Sequence, residues 1–218
     1  MRRFFRAAAV AAAAGLFLAP AAGAVAASAA TARPAVGVPV RGGNSTITTS
    51  TGIARLLVTR GLDVFATSPG TESLMHGPFA LAASRPAVTP AVPDPRLKFM
   101  FPVSGGSLNE AALSGSVNLR GGFLIINSNN GQQIQLSRLK VDFGRRIVTG
   151  VANGQLPATL FALDLSHITV HHGLTSVRLT GIVLRLTGGA ARALNTALGV
   201  DVFTGGMKIA TATDTIHL

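Results

Sequence analysis

Residues 101–153 read FPVSGGSLNEAALSGSVNLRGGFLIINSNNGQQIQLSRLKVDFGRRIVTGVAN, and this stretch decides the fold class. Short apolar runs alternate with polar residues. Gly121-Gly122, Asn129-Asn130-Gly131 and Gly144-Arg145-Arg146 cut them. A two-residue period broken at Gly- and Asn-rich points is the pattern of short antiparallel strands joined by tight turns. Residues 113–119 and 123–127 are expected to pair around Arg120-Gly121-Gly122. Asn129-Asn130-Gly131 is expected to form a hairpin turn, because Asn and Gly take positive φ at little cost. Ile134 and Leu136 share one parity, while Leu139, Val141 and Phe143 share the other. That slip near Ser137-Arg138 predicts a β-bulge or a break between two strands.

The same reading extends outward. Before this stretch, residues 97–103 suit a strand. Ile53, Leu56, Leu57 and Arg60 suit a short helix, and Leu62, Val64 and Phe65 a strand after Gly61. After it, Phe161, Leu163 and Leu165 alternate with Ala162 and Asp164, so one face is buried. Residues 168–172 follow as a strand or extended loop. Val177, Leu179, Ile182, Leu184 and Leu186 give further strands. Residues 189–198 hold good helix formers, with Gly199 at the position of a C-terminal cap. Residues 200–203 and 207–212 are expected to close the domain as strands. The fold class is therefore mainly β, an antiparallel sandwich or barrel-like domain with one or two short helices. One echo stands out: Gly61-Leu62-Asp63-Val64-Phe65 returns as Gly199-Val200-Asp201-Val202-Phe203. Each copy follows a helix and suggests related units at the two ends of the domain. Buried Val and Phe with an outward or cap-bonding Asp is the preferred reading over a paired acidic site.

The first thirty residues read as a signal peptide, not as fold. Met1-Arg2-Arg3-Phe4-Phe5-Arg6 is basic, an Ala-rich apolar run follows, and Ala-x-Ala sites come next. Export by the general route is expected; Arg2-Arg3 with Phe5 also partly matches a twin-arginine signal. Residues 31–44, with Pro34, Pro39 and Gly42-Gly43, read as a linker. Residues 45–218 read as a single domain. In residues 67–95, Pro69, Pro78, Pro86, Pro90, Pro93 and Pro95 oppose a regular ladder, so this segment reads as a crossing loop.

The net charge of +11 falls to +8 once Arg2, Arg3 and Arg6 are removed. The basic residues are scattered, and Trp and Tyr are absent, which argues against a nucleic-acid binder. The positive sign reads first as a soluble surface and second as attraction to an anionic envelope, lipid headgroup or polymer. No Cys is present, so there is neither a disulfide framework nor a thiolate metal site. No run in the mature chain is long and apolar enough to span a bilayer.

Catalytic patterns are absent. The eight acids show no paired spacing, and there is no Gly-x-Ser-x-Gly elbow or phosphate-cradling loop. Asp164, Ser166 and His167 are close in sequence, but on a strand His167 faces away from the other two. His167, His171 and His172 form a cluster, yet His167 and His171 lie about 13 Å apart on an extended chain, too far to share an ion.

Phe101-Pro102-Val103-Ser104-Gly105-Gly106, residues 115–122 and Leu139-Lys140-Val141-Asp142 resemble the HtaA-like, haem-transport-associated domains of actinobacterial secreted proteins. Leu186-Thr187, Ala190-Ala191, Ala193-Leu194-Asn195 and Val202-Phe203 look like their closing segment. The resemblance covers residues 45–218 and implies a β-rich domain with short helices. Better-known members bind haem at the cell surface through an axial Tyr, supported by a His from a central His-Gly segment. This chain has no Tyr, and Arg120-Gly121-Gly122 stands where the His-Gly would be. The fold is expected without that haem site. A haem would need a replacement ligand, for which His76, His167, His171 and His172 are the candidates. The expected function is a secreted, non-catalytic binding or cell-envelope interaction module without a cofactor. Its partner is an anionic envelope component or another envelope protein. The alternatives are a carrier of haem or another hydrophobic ligand through non-standard His ligation, and a hydrolase whose site assembles only in the fold.

Overall fold

The computed structural model describes residues 37–75 and 96–218, and the account below is of these. In chain order the elements are β1 (Val38–Val40), β2 (Gly42–Thr49), α1 (Ile53–Thr59), β3 (Leu62–Thr67), β4 (Thr71–Met75), β5 (Arg96–Asn109), β6 (Ser114–Leu119) and β7 (Gly122–Asn127). Then come β8 (Gln133–Asp142), β9 (Ile147–Ala152), β10 (Pro157–Asp164), β11 (Thr169–His172), β12 (Ser176–Leu186), α2 (Gly188–Leu198) and β13 (Lys208–His217).

Eight strands close into an antiparallel barrel in the order β5-β2-β13-β12-β10-β9-β8-β6, with β6 returning to β5. The other five decorate it: β1 and β4 pair with β5, β11 with β12, and β7 with β8, with β3 beyond β7. Closure leaves the inward parity of the barrel strands mostly apolar, with Ser45, Thr49 and Asp214 as buried polar exceptions. Phe101, Leu108, Val117, Leu179 and Ile216 are wholly buried. Phe123 meets Phe99 and Phe101 edge-on, with ring centroids 5.1 and 5.0 Å apart. Each such side chain contributes roughly 1.5–3 kcal/mol by leaving water.

The phase slip at Ser137-Arg138 is a bulge within one continuous β8: the register to β9 shifts between Ser137 and Lys140, and Arg138 sits at φ 51°. The hairpin at Asn129-Asn130-Gly131 joins β7 to β8, and Gly144-Arg145-Arg146 joins β8 to β9. Five expectations need correction. β6 and β7 do not pair; β6 pairs with β5 and β8, and β7 with β8 and β3. Gly121, at φ 91°, carries the chain across: a Cβ there would lie 2.5 Å from the Thr67 carbonyl oxygen. The stretch read as a linker up to residue 44 already forms β1 and the start of β2. The Pro-rich crossing contains β4, paired with β5, while residues 76–95 and the expected signal peptide, residues 1–30, lie outside the described residues. The strands expected around Val177 and Ile182 are one strand, β12, with a bulge between Leu179 and Ile182. Residues 200–203 are not a strand. The Asn195 side chain accepts from the Val202 and Phe203 amides (3.2 and 3.0 Å) and donates to the Phe203 carbonyl (2.9 Å), taking the place of a neighbouring strand.

Both copies of the five-residue echo begin at a left-handed glycine ending a helix, Gly61 at φ 65° and Gly199 at φ 63°. The first copy continues as β3; the second does not continue as a strand. Both helix ends meet the β7–β8 hairpin. Asn129 Nδ2 donates to the Arg60 carbonyl (2.9 Å), and the Ser128 amide to the Gly61 carbonyl (2.8 Å). Asn127 Nδ2 and Asn130 Nδ2 both donate to the Leu198 carbonyl (2.7 and 3.1 Å). These bonds satisfy carbonyls that a helix leaves open at its C-terminus. Asp63 accepts from the Ser128 hydroxyl, so the acid of the first copy bonds at a helix end.

Candidate functional site

The candidate histidines that the structure describes are all exposed. His167 lies exposed between β10 and β11, and His171 and His172 are exposed on β11 opposite Arg178 and Val177. His172 Nδ1 lies 2.8 Å from Glu110 Oε2. His76 lies outside the described residues. Among the described residues, no group of three or more His, Asp or Glu is placed to hold a metal ion.

The barrel interior is nearly filled. One apolar cavity of about 80 Å³ lies among Ile47, Phe99, Phe123, Leu136, Leu184 and Leu194. A second, of about 20 Å³, touches Ser45 and Asp214. Pockets for organic ligands run from about 300 Å³ upward, and no histidine lines either space. Asp214 is 1% exposed; burial pushes its carboxyl from 3.8 up to about 6, only partly offset by a hydrogen bond from Ser45. Its Oδ1 has no hydrogen-bond partner among the described residues.

A larger open space, a groove of about 660 Å³, lies at the end of the barrel opposite the hairpin clamp. Phe143 and Leu163 lie at its floor. Arg146, Arg185, Asp164 and Ser166 supply its polar groups. The local sequence builds each position. Asp142 Oδ1 accepts from the Arg145 amide (2.8 Å), which forms the turn after β8. Arg146 then takes φ 54°, and its carbonyl accepts from the Leu163 amide (2.8 Å), tying the turn to β10. The Arg146 side chain is exposed. Asp164 Oδ1 accepts from the Ser166 hydroxyl and amide (2.7 and 3.2 Å) as β10 ends. Those bonds, the hydroxyl first, hold the Asp164 carboxyl below its usual 3.8, with a further contribution from Arg185. Arg185 lies on the outward parity of β12, its Nη2 3.4 Å from Asp164 Oδ2 and its Nη1 3.4 Å from the Gly206 carbonyl.

The Asp164–Ser166 contact is thus a strand-ending turn: the Ser166 hydroxyl donates straight to the carboxylate, with no imidazole between them as a triad requires. What the groove can do is hold an anion: an exposed guanidinium and a braced one sit at the rim of an apolar floor. Reasoning from the sequence noted Arg146 as a turn residue and passed over Arg185. The available signal was a cation on the polar parity of an otherwise apolar strand.

No protein-family model and no curated protein matches the chain. Among solved structures, it is similar to the C-terminal domain of HtaA from Corynebacterium glutamicum, with 12% identity over 84% of this chain and 98% of that chain and a TM-score of 0.48. It is also similar to a domain-swapped dimer of a histidine-to-alanine variant of that domain, with 11% identity over 77% of this chain and 90% of that chain and a TM-score of 0.40. Both structures come from the family named from the residues. At this identity no residue role transfers with the likeness.

Proposed function

We propose that the chain is an exported, non-catalytic binding module that holds an anionic cell-envelope component at the groove of Arg146 and Arg185. The carrying observation is that groove: about 660 Å³ of open space with two guanidiniums at its rim, against an interior cavity of about 80 Å³. Arg185 is already paired with Asp164, so among the described residues Arg146 supplies the exposed charge and Arg185 a braced second donor. The positive net charge adds long-range attraction to such a partner.

The test is binding of the purified protein to a polyanion, polyglutamate, at low and moderate salt. Replacing Arg146→Ala and Arg185→Ala together is expected to weaken binding at least about tenfold at low salt, since a hydrogen bond to a charged group is worth about 1.5–3 kcal/mol. The melting temperature is expected to stay within a degree or two, because exposed ion pairs contribute little. Undiminished binding by the double variant removes the proposal. Haemin titration of the same protein is expected to give no saturable Soret shift; a stoichiometric shift lost on His→Ala change at His76, His167, His171 or His172 establishes the carrier reading instead.

A further inference from the structure

The outer face of the barrel beside the groove carries an ordered plane of hydroxyls. On β2, Thr46 and Thr48 point outward; on β13, Thr211, Thr213 and Thr215 do so. The register sets them side by side: Thr48 opposite Thr211, Thr46 opposite Thr213, and Asn44 opposite Thr215. Across β5 the rows continue, through Lys98 to Ser73 and through Met100 to Thr71. Neighbours stand about 4.8 Å apart across strands and about 6.7 Å apart along them, the spacing of the sheet itself. All five threonines are half-buried, and none of their hydroxyls has a partner among the described residues.

Among the described residues, the charged side chains on this face are mostly cations. Arg96 and Lys98 stand on β5, Arg178 and Arg185 on β12, and Lys208 on β13. Asp214 and Glu72 alternate to the other face, and Asp164, on β10 opposite Val183, is already engaged by Ser166 and Arg185. Arg185 lies opposite Lys208 and also enters the groove, so plane and groove meet at that residue.

The chemistry selects among occupants. A protein partner needs a buried apolar or aromatic anchor, and threonine is under-represented at such hot spots; Met100 is the exposed large apolar side chain here. Single-stranded nucleic acid needs aromatic stacking platforms, which these rows lack. A sugar chain fits both halves of threonine: its C–H face lies on the methyls, and its hydroxyls exchange hydrogen bonds with the Oγ1 atoms. The surrounding cations require acid groups on that chain.

We propose that this plane, Thr46, Thr48, Thr211 and Thr213 with Lys98 at its side, binds an acidic polysaccharide whose chain continues into the groove at Arg185. This rests on the groove reading above and deepens it by naming the class of polymer and the path it takes.

The experiment compares two probes on the purified protein at one ionic strength: alginate, a uronic-acid polysaccharide, and polyglutamate, an anionic chain without sugar. The fourfold variant Thr46→Val, Thr48→Val, Thr211→Val, Thr213→Val keeps the β-branched shape favoured in strands. It is expected to lose about tenfold or more in alginate affinity, equivalent to a few neutral hydrogen bonds. Polyglutamate binding is expected to remain, and the matching Thr→Ser variant to keep most alginate binding. Should the Val variant lose solubility, Thr48→Glu replaces it and is expected to abolish alginate binding. Alginate bound equally by parent and Val variant overturns the plane while leaving the groove intact. Both probes bound equally by the Arg146→Ala, Arg185→Ala protein overturns the groove reading. A dimer of the parent that dissociates in the Val variant, with no alginate bound, assigns the face to a second copy and overturns the polysaccharide.

Discussion

The two ends of the barrel use polar side chains in opposite ways. At the helical end, Asn127, Asn129 and Asn130 are bonded to helix carbonyls of α1 and α2, and Asn195 holds the chain that follows α2. At the turn end, Asp142 and Asp164 shape their turns while Arg146 remains exposed at a groove. The first end is closed by its own amides; the second leaves charge facing solvent. Amides at the hairpin therefore read as architecture, and the proposed function assigns recognition to the guanidiniums of the groove.

That contrast gives substitutions graded by effect. The strongest breaks the clamp. Asn127 is 2% exposed, donates to Leu198 and accepts from the Asn129 amide at 3.0 Å. Asn127→Ala is expected to cost about 2–3 kcal/mol, since it strands buried polar groups. Thermal unfolding should show a melting point lower by several degrees with polyanion binding unchanged. Lost binding at full stability would sink the division between the two ends.

Between the ends lies Asp214, a polar group assigned to neither task. Its carboxyl sits near 3.8 when unfolded and at about 6 when folded, so the folded chain keeps an extra proton between those values. Asp214 therefore costs nothing below about pH 4, becomes progressively destabilising as pH rises toward 6, and carries its full penalty above that. Asp214→Asn is expected to raise stability at pH 8 by about 2 kcal/mol and to flatten that decline. Urea titrations of parent and variant at pH 4.5 and 8 measure it; an equal pH dependence in both places the decline elsewhere. The smallest effect is expected at the exposed His172–Glu110 contact. His172→Gln should change stability by no more than about 0.5 kcal/mol and leave polyanion binding as it is. A larger change would move the turn end toward the architectural side of the comparison.

Legibility in the sequence followed how local the determining force was. The irregularity at Ser137-Arg138 could be read, as a bulge or a break, because keeping Leu136 and Leu139 both inside requires a parity slip. The Asn129-Asn130-Gly131 hairpin and the Gly199 cap were visible because positive φ has a residue signature. The pairing of β6 was not, since it depends on a backbone crossing at Gly121 whose neighbours, Thr67 and Gly70, come from β3 and the turn after it, far earlier in the chain. Residues 200–203 alternate like a strand, yet one side chain, Asn195, took up the bonds a strand would have formed. The groove depends on Arg146 and Arg185 meeting across 39 positions of chain, which spacing does not encode. The hydroxyl plane was half legible. Thr46-Ile47-Thr48 and Thr211-Ala212-Thr213 each announce one polar face, but only the β2–β13 register lays them side by side.

The barrel is closed between β6 and β8 through Ser116–Asp142, Val117–Val141 and Asn118–Lys140, whereas β2 and β13 are zipped along eight residue pairs. A cylinder fastened so unevenly has a clasp. Under tension the opening begins there, and both halves of the clasp become free sheet edges with unpaired amides and carbonyls. Since the missing partner of each edge is displayed by the other, two opened molecules can fasten to one another with the bonds each has lost. The shortest seam thus decides both how this wall yields and what it sticks to when it does.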